Sequence, residues 1–198
     1  MRSEPGLKPL LVLGLAPLAG ALVTLSLAPF DLWPAGILSC VLYVYLLSTC
    51  TASQALWRGW LYGLGLFGTG VSWVYVSIHV HGHASVPLAA GLTALFCAGL
   101  ALFQALFAWS YVQFVRPLPG GMLVGFPALW VLFEWLRGWV FTGFPWLYLG
   151  YAHVGTWISW LGADHRRTGL PRSSVRCRAP ACSWPGAAGN PSPAPPMR

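Results

Sequence analysis

The chain has 198 residues, of which 57% are hydrophobic and only 8% charged, against about 25% charged in an ordinary soluble domain. A water-soluble fold of this length has too little interior to hide so much apolar surface, so that class is excluded. The formal net charge is +7, but six arginines follow Leu161 with only Asp164 to oppose them, so the basicity belongs to the C-terminal tail and implies no nucleic-acid partner.

The first apolar run follows Arg2 and Lys8 and extends from about Pro9 to Ala28. It is as long as the roughly 20 residues that a transmembrane helix needs, and further apolar runs follow it, so it reads as an uncleaved first span and not as a signal peptide. The same template fits Pro34 to Cys50, Leu56 to Ile78, Val86 to Val115 and Met122 to Val140. The expected fold is therefore all-α, a polytopic membrane helix bundle of about five transmembrane helices. Pro17, Gly20, Gly91 and Gly99 are tolerable inside such helices because neighbouring helices re-satisfy freed backbone groups. Gly59 to Gly63 and the pair Gly68 and Gly70 read as small-residue contacts that permit close helix approach.

Orientation follows from the placement of Lys and Arg. With a cytoplasmic N-terminus, Arg2, Lys8, Arg58 and Arg116 all lie inside, and the loops around Asp31 and His79 to His83 face out. Five spans then place Glu134 to Trp146 at the outer face. Trp57, Trp60, Trp73, Trp109, Trp130, Trp135, Trp139 and Trp146 lie near expected span ends or in the fifth span, as interfacial aromatic belts do.

Cys40, Cys50 and Cys97 fall within apolar segments and read as small buried hydrophobes. His79, His81 and His83 lie within five residues, but their spacing in a loop without a nearby carboxylate does not make a zinc site, and no metal or cofactor is expected. After Leu161 the apolar pattern gives way to an Arg-, Pro-, Ala-, Gly- and Ser-rich segment. Two regions are expected, a transmembrane domain over 1–160 and a disordered basic, Pro-rich tail over 161–198. The tail has the composition of a GC-rich frame translated out of phase, which suggests a frameshift; a natural basic tail is the alternative.

The most informative stretch is LWVLFEWLRGWVFTGFPW, Leu129 to Trp146. Glu134 and Arg137 are spaced i, i+3 on one helix face. Ionisable groups at membrane depth mark function by default, and the bland alternative is a structural ion pair that snorkels to the interface. Thr142 to Trp146 breaks the helix and leaves an aromatic loop suited to a lipid or a lipidated chain.

Three ordered strings, LAPFDLWPAGILS (Leu27 to Ser39), GWLYGLGLFGTGVSWVYVSI (Gly59 to Ile78) and PALWVLFEWLRGWVFTGFPWLYLGY (Pro127 to Tyr151), resemble the membrane-embedded part of bacterial apolipoprotein N-acyltransferases. The resemblance implies a bacterial inner-membrane, multi-pass protein. It also implies transfer of an acyl chain from a phospholipid donor to the N-terminal cysteine of a diacylated lipoprotein. In that family a nitrilase-like domain carries a Glu, Lys and Cys triad. Here the only lysine is Lys8, and Cys177 and Cys182 lie in the unpatterned tail, so no catalytic residue is carried over and the chain is expected to be a truncated form, inactive alone. The motif residues Glu134, Trp135, Arg137, Gly138, Gly143, Phe144, Pro145 and Trp146 are carried over as the substrate-binding lining of the lipid and lipoprotein entrance. The competing reading is a small non-enzymatic membrane protein, either a lipid-binding scaffold or a transporter subunit.

Overall fold

The computed structural model describes residues 9–140 and 143–154, and the tail expected beyond residue 160 lies outside the described residues. Among the described residues the secondary structure is helical throughout, as the apolar runs imply. The helices are α1 (Pro9–Ser26), α2 (Trp33–Ser48), α3 (Ala52–Gly70), α4 (Trp73–Val76), α5 (Val86–Ser110) and α6 (Phe126–Arg137). π-helical turns extend α4 over Ser77–His81, α5 over Tyr111–Val115 and lead into α6 over Gly121–Gly125.

Local signals fix several boundaries. Pro34 stands in the first turn of α2, where a missing N–H costs nothing, and Pro87 and Pro127 do the same for α5 and α6. Thr51 and Gln54 form a reciprocal capping box that starts α3: the Thr51 hydroxyl accepts the Gln54 N–H at 3.3 Å, and the Thr51 N–H reaches Gln54 Oε1 at 3.2 Å.

α3 is the central helix, with α1 on one side and α5 on the other. A Cβ at Gly20 would collide with the Tyr62 carbonyl oxygen and one at Gly65 with the Pro17 carbonyl oxygen, so α1 and α3 pack backbone to backbone. Gly59 and Gly63 let Ala105 and Ala101 of α5 come equally close. Gly68 differs from expectation: nothing lies within 4 Å of its Cβ direction, and it opens onto a groove. Tyr43 of α2 stacks on Tyr62 of α3 at 3.8 Å between ring centroids, and Phe107, Phe126 and Trp130 meet the pair from α5 and α6. Trp130 therefore belongs to the core, at 7% exposure, and not to an interfacial belt.

The expected third span is not one straight helix. α3 and the α4 segment are bent by 53° at Val71–Ser72. By length and composition one helix, Val86–Val115, can cross a membrane, or two if the bent pair forms one span; α1 and α2 are apolar but shorter.

The two ends of the bundle differ. At one end Arg58, only 6% exposed, donates Nη1 to the Leu46 carbonyl oxygen at 2.5 Å. Arg116 Nη1 lies 2.8 Å from the carbonyl oxygens of Leu47 and Cys50 and 3.3 Å from that of Ser48. Two guanidinium groups thus bond the Leu46, Leu47 and Ser48 carbonyls of the last turn of α2, at the negative pole of its dipole, and the Cys50 carbonyl just beyond it. The opposite end collects the 27–32 turn, the α4 elbow and the segment following α6.

Candidate functional site

The segment after α6 folds back across the helix that precedes it. Gly143 has φ +84°, its N–H bonds the Val140 carbonyl oxygen at 3.0 Å, and a Cβ there would collide with the Gly138 carbonyl oxygen. Only glycine suits that position. The next N–H, of Phe144, reaches the Arg137 carbonyl oxygen at 2.9 Å, and a Cβ at Gly138 would press on the Tyr148 hydroxyl. The two glycines are thereby accounted for by the chain crossing itself.

Glu134 and Arg137 share no hydrogen bond among the described residues; each takes its own hydrogen-bond partners. Glu134 Oε1 accepts Nε1–H of Trp130 at 2.9 Å and the backbone N–H of Leu149 at 2.8 Å. Arg137, 3% exposed, donates Nη2 to the Trp146 carbonyl oxygen at 2.9 Å. Its Cζ lies 5.2 Å from the Phe67 ring centroid and 5.3 Å from that of Tyr148. A spacing of three residues leaves the side chains about 60° apart around the helix, room enough for each to find its own partner in the returning segment.

Each charge faces a different groove. Arg137 lines a groove of about 620 Å³ with Leu95, Phe96, Leu102 and Phe103 of α5 and with Phe144, whose ring meets Phe96 edge-on at 5.5 Å. Glu134 lines two smaller ones, of about 350 Å³ with Trp135, Trp139 and Tyr148, and of about 360 Å³ with Cys40, Trp130 and His153. Trp135 is exposed and lies against Trp139 at 6.0 Å; Pro145 is also exposed. Trp146 is 56% exposed and meets Trp73 of the elbow at 5.7 Å. The structure thus gathers Glu134, Arg137, Gly138, Gly143, Phe144 and the Trp146 backbone into one crossing, and leaves Trp135 and Pro145 at its surface.

Sequence reasoning passed over Phe67, Tyr148 and Leu149, which complete the surroundings of the two charges. Tyr148 and Leu149 stand inside the 127–151 string, and Phe67 had no signal beyond its place in an apolar run. Among the described residues no group of three His, Cys, Asp or Glu side chains is placed to hold a metal ion. His79 Nδ1 lies 2.8 Å from the Ala84 carbonyl oxygen and its ring stacks on Tyr75, whereas His81 and His83 are exposed.

Residues 19–163, which contain the α6 crossing, match the family described as the apolipoprotein N-acyltransferase N-terminal domain. The chain belongs to that family. It is 49% identical over 158 residues to the apolipoprotein N-acyltransferase of Pseudomonas paraeruginosa, covering 73% of this chain and 31% of the relative. The Azotobacter vinelandii protein of the same name is 49% identical over 142 residues, 71% of this chain and 28% of the relative. The Coxiella burnetii apolipoprotein N-acyltransferase is 45% identical over 150 residues, 75% and 31% respectively. The chain thus spans less than a third of the length of these relatives.

Proposed function

We propose that this chain is the membrane-embedded part of an apolipoprotein N-acyltransferase, crossing the bacterial inner membrane about five times with its N-terminus in the cytoplasm. The reaction it serves is transfer of a phospholipid acyl chain to the N-terminal cysteine of a diacylated lipoprotein. The observation that carries the membrane reading is a wide apolar outer surface around an interior that also buries polar and charged groups. The most apolar window of Val86–Val115 is only 22% buried, and Leu10, Leu95 and Leu123 are at least 70% exposed, whereas Ser39, Arg58, Gln104 and Arg137 are buried. A bundle in lipid has this arrangement, since apolar side chains lose nothing by facing hydrocarbon while polar groups must be satisfied inside.

In this proposal residues 1–160 form the membrane domain. The α6 crossing, with Glu134, Trp135, Arg137, Gly138 and the Gly143 to Trp146 loop, forms the wall of the lipid and lipoprotein entrance. Its part is positioning. A thiolate acyl carrier needs a base within hydrogen-bond reach, and the 198 residues hold one lysine, Lys8, in the N-terminal segment. The polypeptide by itself is therefore proposed to be inactive.

Expression in a strain depleted of the acyltransferase, with lipoprotein acylation read by mass spectrometry, tests this. Lipoproteins should stay diacylated with the 198-residue chain alone, and restored third acylation would refute inactivity. A transporter subunit would be favoured by paired broken helices about a central site. Among the described residues a single helix pair is bent at a break, so that alternative gains no support.

A further inference from the structure

A quaternary ammonium group has no N–H to satisfy, so a site for it needs aromatic faces and a negative charge, and no array of acceptors. One of the grooves beside Glu134 has that composition. Its volume is about 350 Å³, and Val131, Glu134, Trp135, Gly138, Trp139 and Tyr148 line it. The lining thus holds one carboxylate and three aromatic rings, and no Lys, Arg or His.

Trp135 and Trp139 follow each other one helical turn apart, with ring centroids at 6.0 Å and planes inclined by 45°. That inclination keeps the rings from stacking flat, and both side chains are exposed. The third ring reaches them because position 138 is glycine: a Cβ there would stand 2.6 Å from the Tyr148 hydroxyl. The carboxylate between them is fixed by two N–H groups, from Trp130 and Leu149, both on Oε1. These occupy about two of the roughly four acceptor positions of a carboxylate and leave its charge in place.

Other cations match the groove less well. A hard metal ion needs about six oxygen ligands, and among the described residues no three His, Cys, Asp or Glu side chains are placed to hold one. A guanidinium would bring five donors to a single carboxylate. A trimethylammonium group instead lays its methyl groups on ring faces, within about 6 Å of the centroids, and leaves no donor unpaired.

We propose that this groove binds the quaternary ammonium head of a single-chain cationic amphiphile, with Trp135, Trp139 and Tyr148 around the methyl groups and the Glu134 carboxylate as counter-ion. The ligand is a net cation, since a zwitterionic head would bring its phosphate to Glu134 with no basic residue in the lining to receive it. The groove is separate from the one Arg137 lines, and the assignment goes beyond the entrance reading without resting on it. No bond is made or broken.

The probe is decyltrimethylammonium, which has no acyl ester, so its binding is independent of any acylation result. The 198-residue chain is labelled with fluorotryptophan, purified in an uncharged detergent and titrated while fluorine NMR follows Trp135 and Trp139, identified by single substitution to phenylalanine. Both resonances should shift and saturate, while that of Trp57, stacked on Trp60 in α3, stays in place. The uncharged isostere with carbon in place of nitrogen should bind about tenfold more weakly, and decylphosphocholine should also bind more weakly. Glu134→Gln keeps the oxygen that Trp130 and Leu149 use and removes the charge, and Trp139→Leu removes one ring from an exposed position; each should weaken the cation about tenfold. If Glu134→Gln fails to fold, Trp139→Leu and the isostere decide. Equal binding of the isostere, or an unchanged affinity in either variant, overturns the proposal. So does an equal shift at Trp57, which would mark partition into the micelle, or equal binding of decylphosphocholine, which would mark a site for zwitterionic heads.

Discussion

The side chain of Leu147 fills the notch that Gly70 leaves at the end of α3: a Cβ on Gly70 would stand 2.5 Å from Leu147 Cδ1 and 2.7 Å from Cδ2. This contact, with Trp146 against Trp73, ties the segment after α6 to the elbow between α3 and α4. Leu147 holds φ +59°, a conformation a leucine adopts only when its surroundings dictate it.

Gly70→Ala should therefore push the flexible end of the Leu147 side chain aside and lower stability by about 1 kcal/mol, the low end of the cost of overpacking. Gly68→Ala, two residues away and facing open space, should change stability by less than about 0.5 kcal/mol. Thermal unfolding of the purified variants in detergent, with limited proteolysis at residues 143–148, checks both. A Gly70→Ala protein as stable and as protease-resistant as Gly68→Ala would show that the notch holds nothing in place.

The Glu134 carboxylate accepts two N–H groups through one oxygen. Glu134→Gln keeps a carbonyl oxygen in reach of both and should stay within about 1 kcal/mol of the parent, whereas Glu134→Ala leaves the Trp130 and Leu149 donors unpaired and should cost about 1–3 kcal/mol. Thermal unfolding of the two variants in detergent measures the difference, and equal melting of the two would show that the acceptor oxygen holds neither donor.

Arg58 and Arg116 together close the carbonyl end of α2, and each substitution by methionine should cost about 1–3 kcal/mol. Because the carbonyls belong to one helix terminus, the double variant should cost measurably less or more than the sum of the singles, by about 0.5 kcal/mol or more. A double-mutant cycle on melting in detergent measures the coupling, and strict additivity would mean that the two caps act independently.

The proposed orientation puts His83 outside and Ser48 inside. In a chain with Cys177 and Cys182 replaced by serine, a cysteine at His83 should react with an impermeant maleimide in intact cells. A cysteine at Ser48, exposed at the arginine end of the bundle, should react only after permeabilisation. The reverse pattern would invert the topology.

The apolar runs were enough to read the helices, because span length and hydropathy are properties of consecutive residues. The break at Val71–Ser72 was not legible in Leu56 to Ile78, since a bent and a straight helix share one apolar composition and the notch at the bend is filled by Leu147, far downstream. Trp130 was placed in a belt on position alone; its burial follows from facing Tyr43 and Tyr62 on other helices. The motif around Glu134 and Arg137 was visible as a pair at helical spacing. Their actual partners, at Leu149 and Trp146, depend on the chain doubling back at Gly138 and Gly143, which periodicity does not record.

The capped end of α2 bears on the proposed orientation as well as on stability. In that orientation Arg58 and Arg116 are loop cations of the kind that bias which side of the bilayer a segment stays on. In the structure the same groups are turned inward onto the Leu46, Leu47, Ser48 and Cys50 carbonyls, and Arg58 is almost wholly withdrawn from solvent. Under the proposed topology one pair of guanidinium groups would therefore serve both as address label and as helix cap, and losing either would cost the chain on both counts.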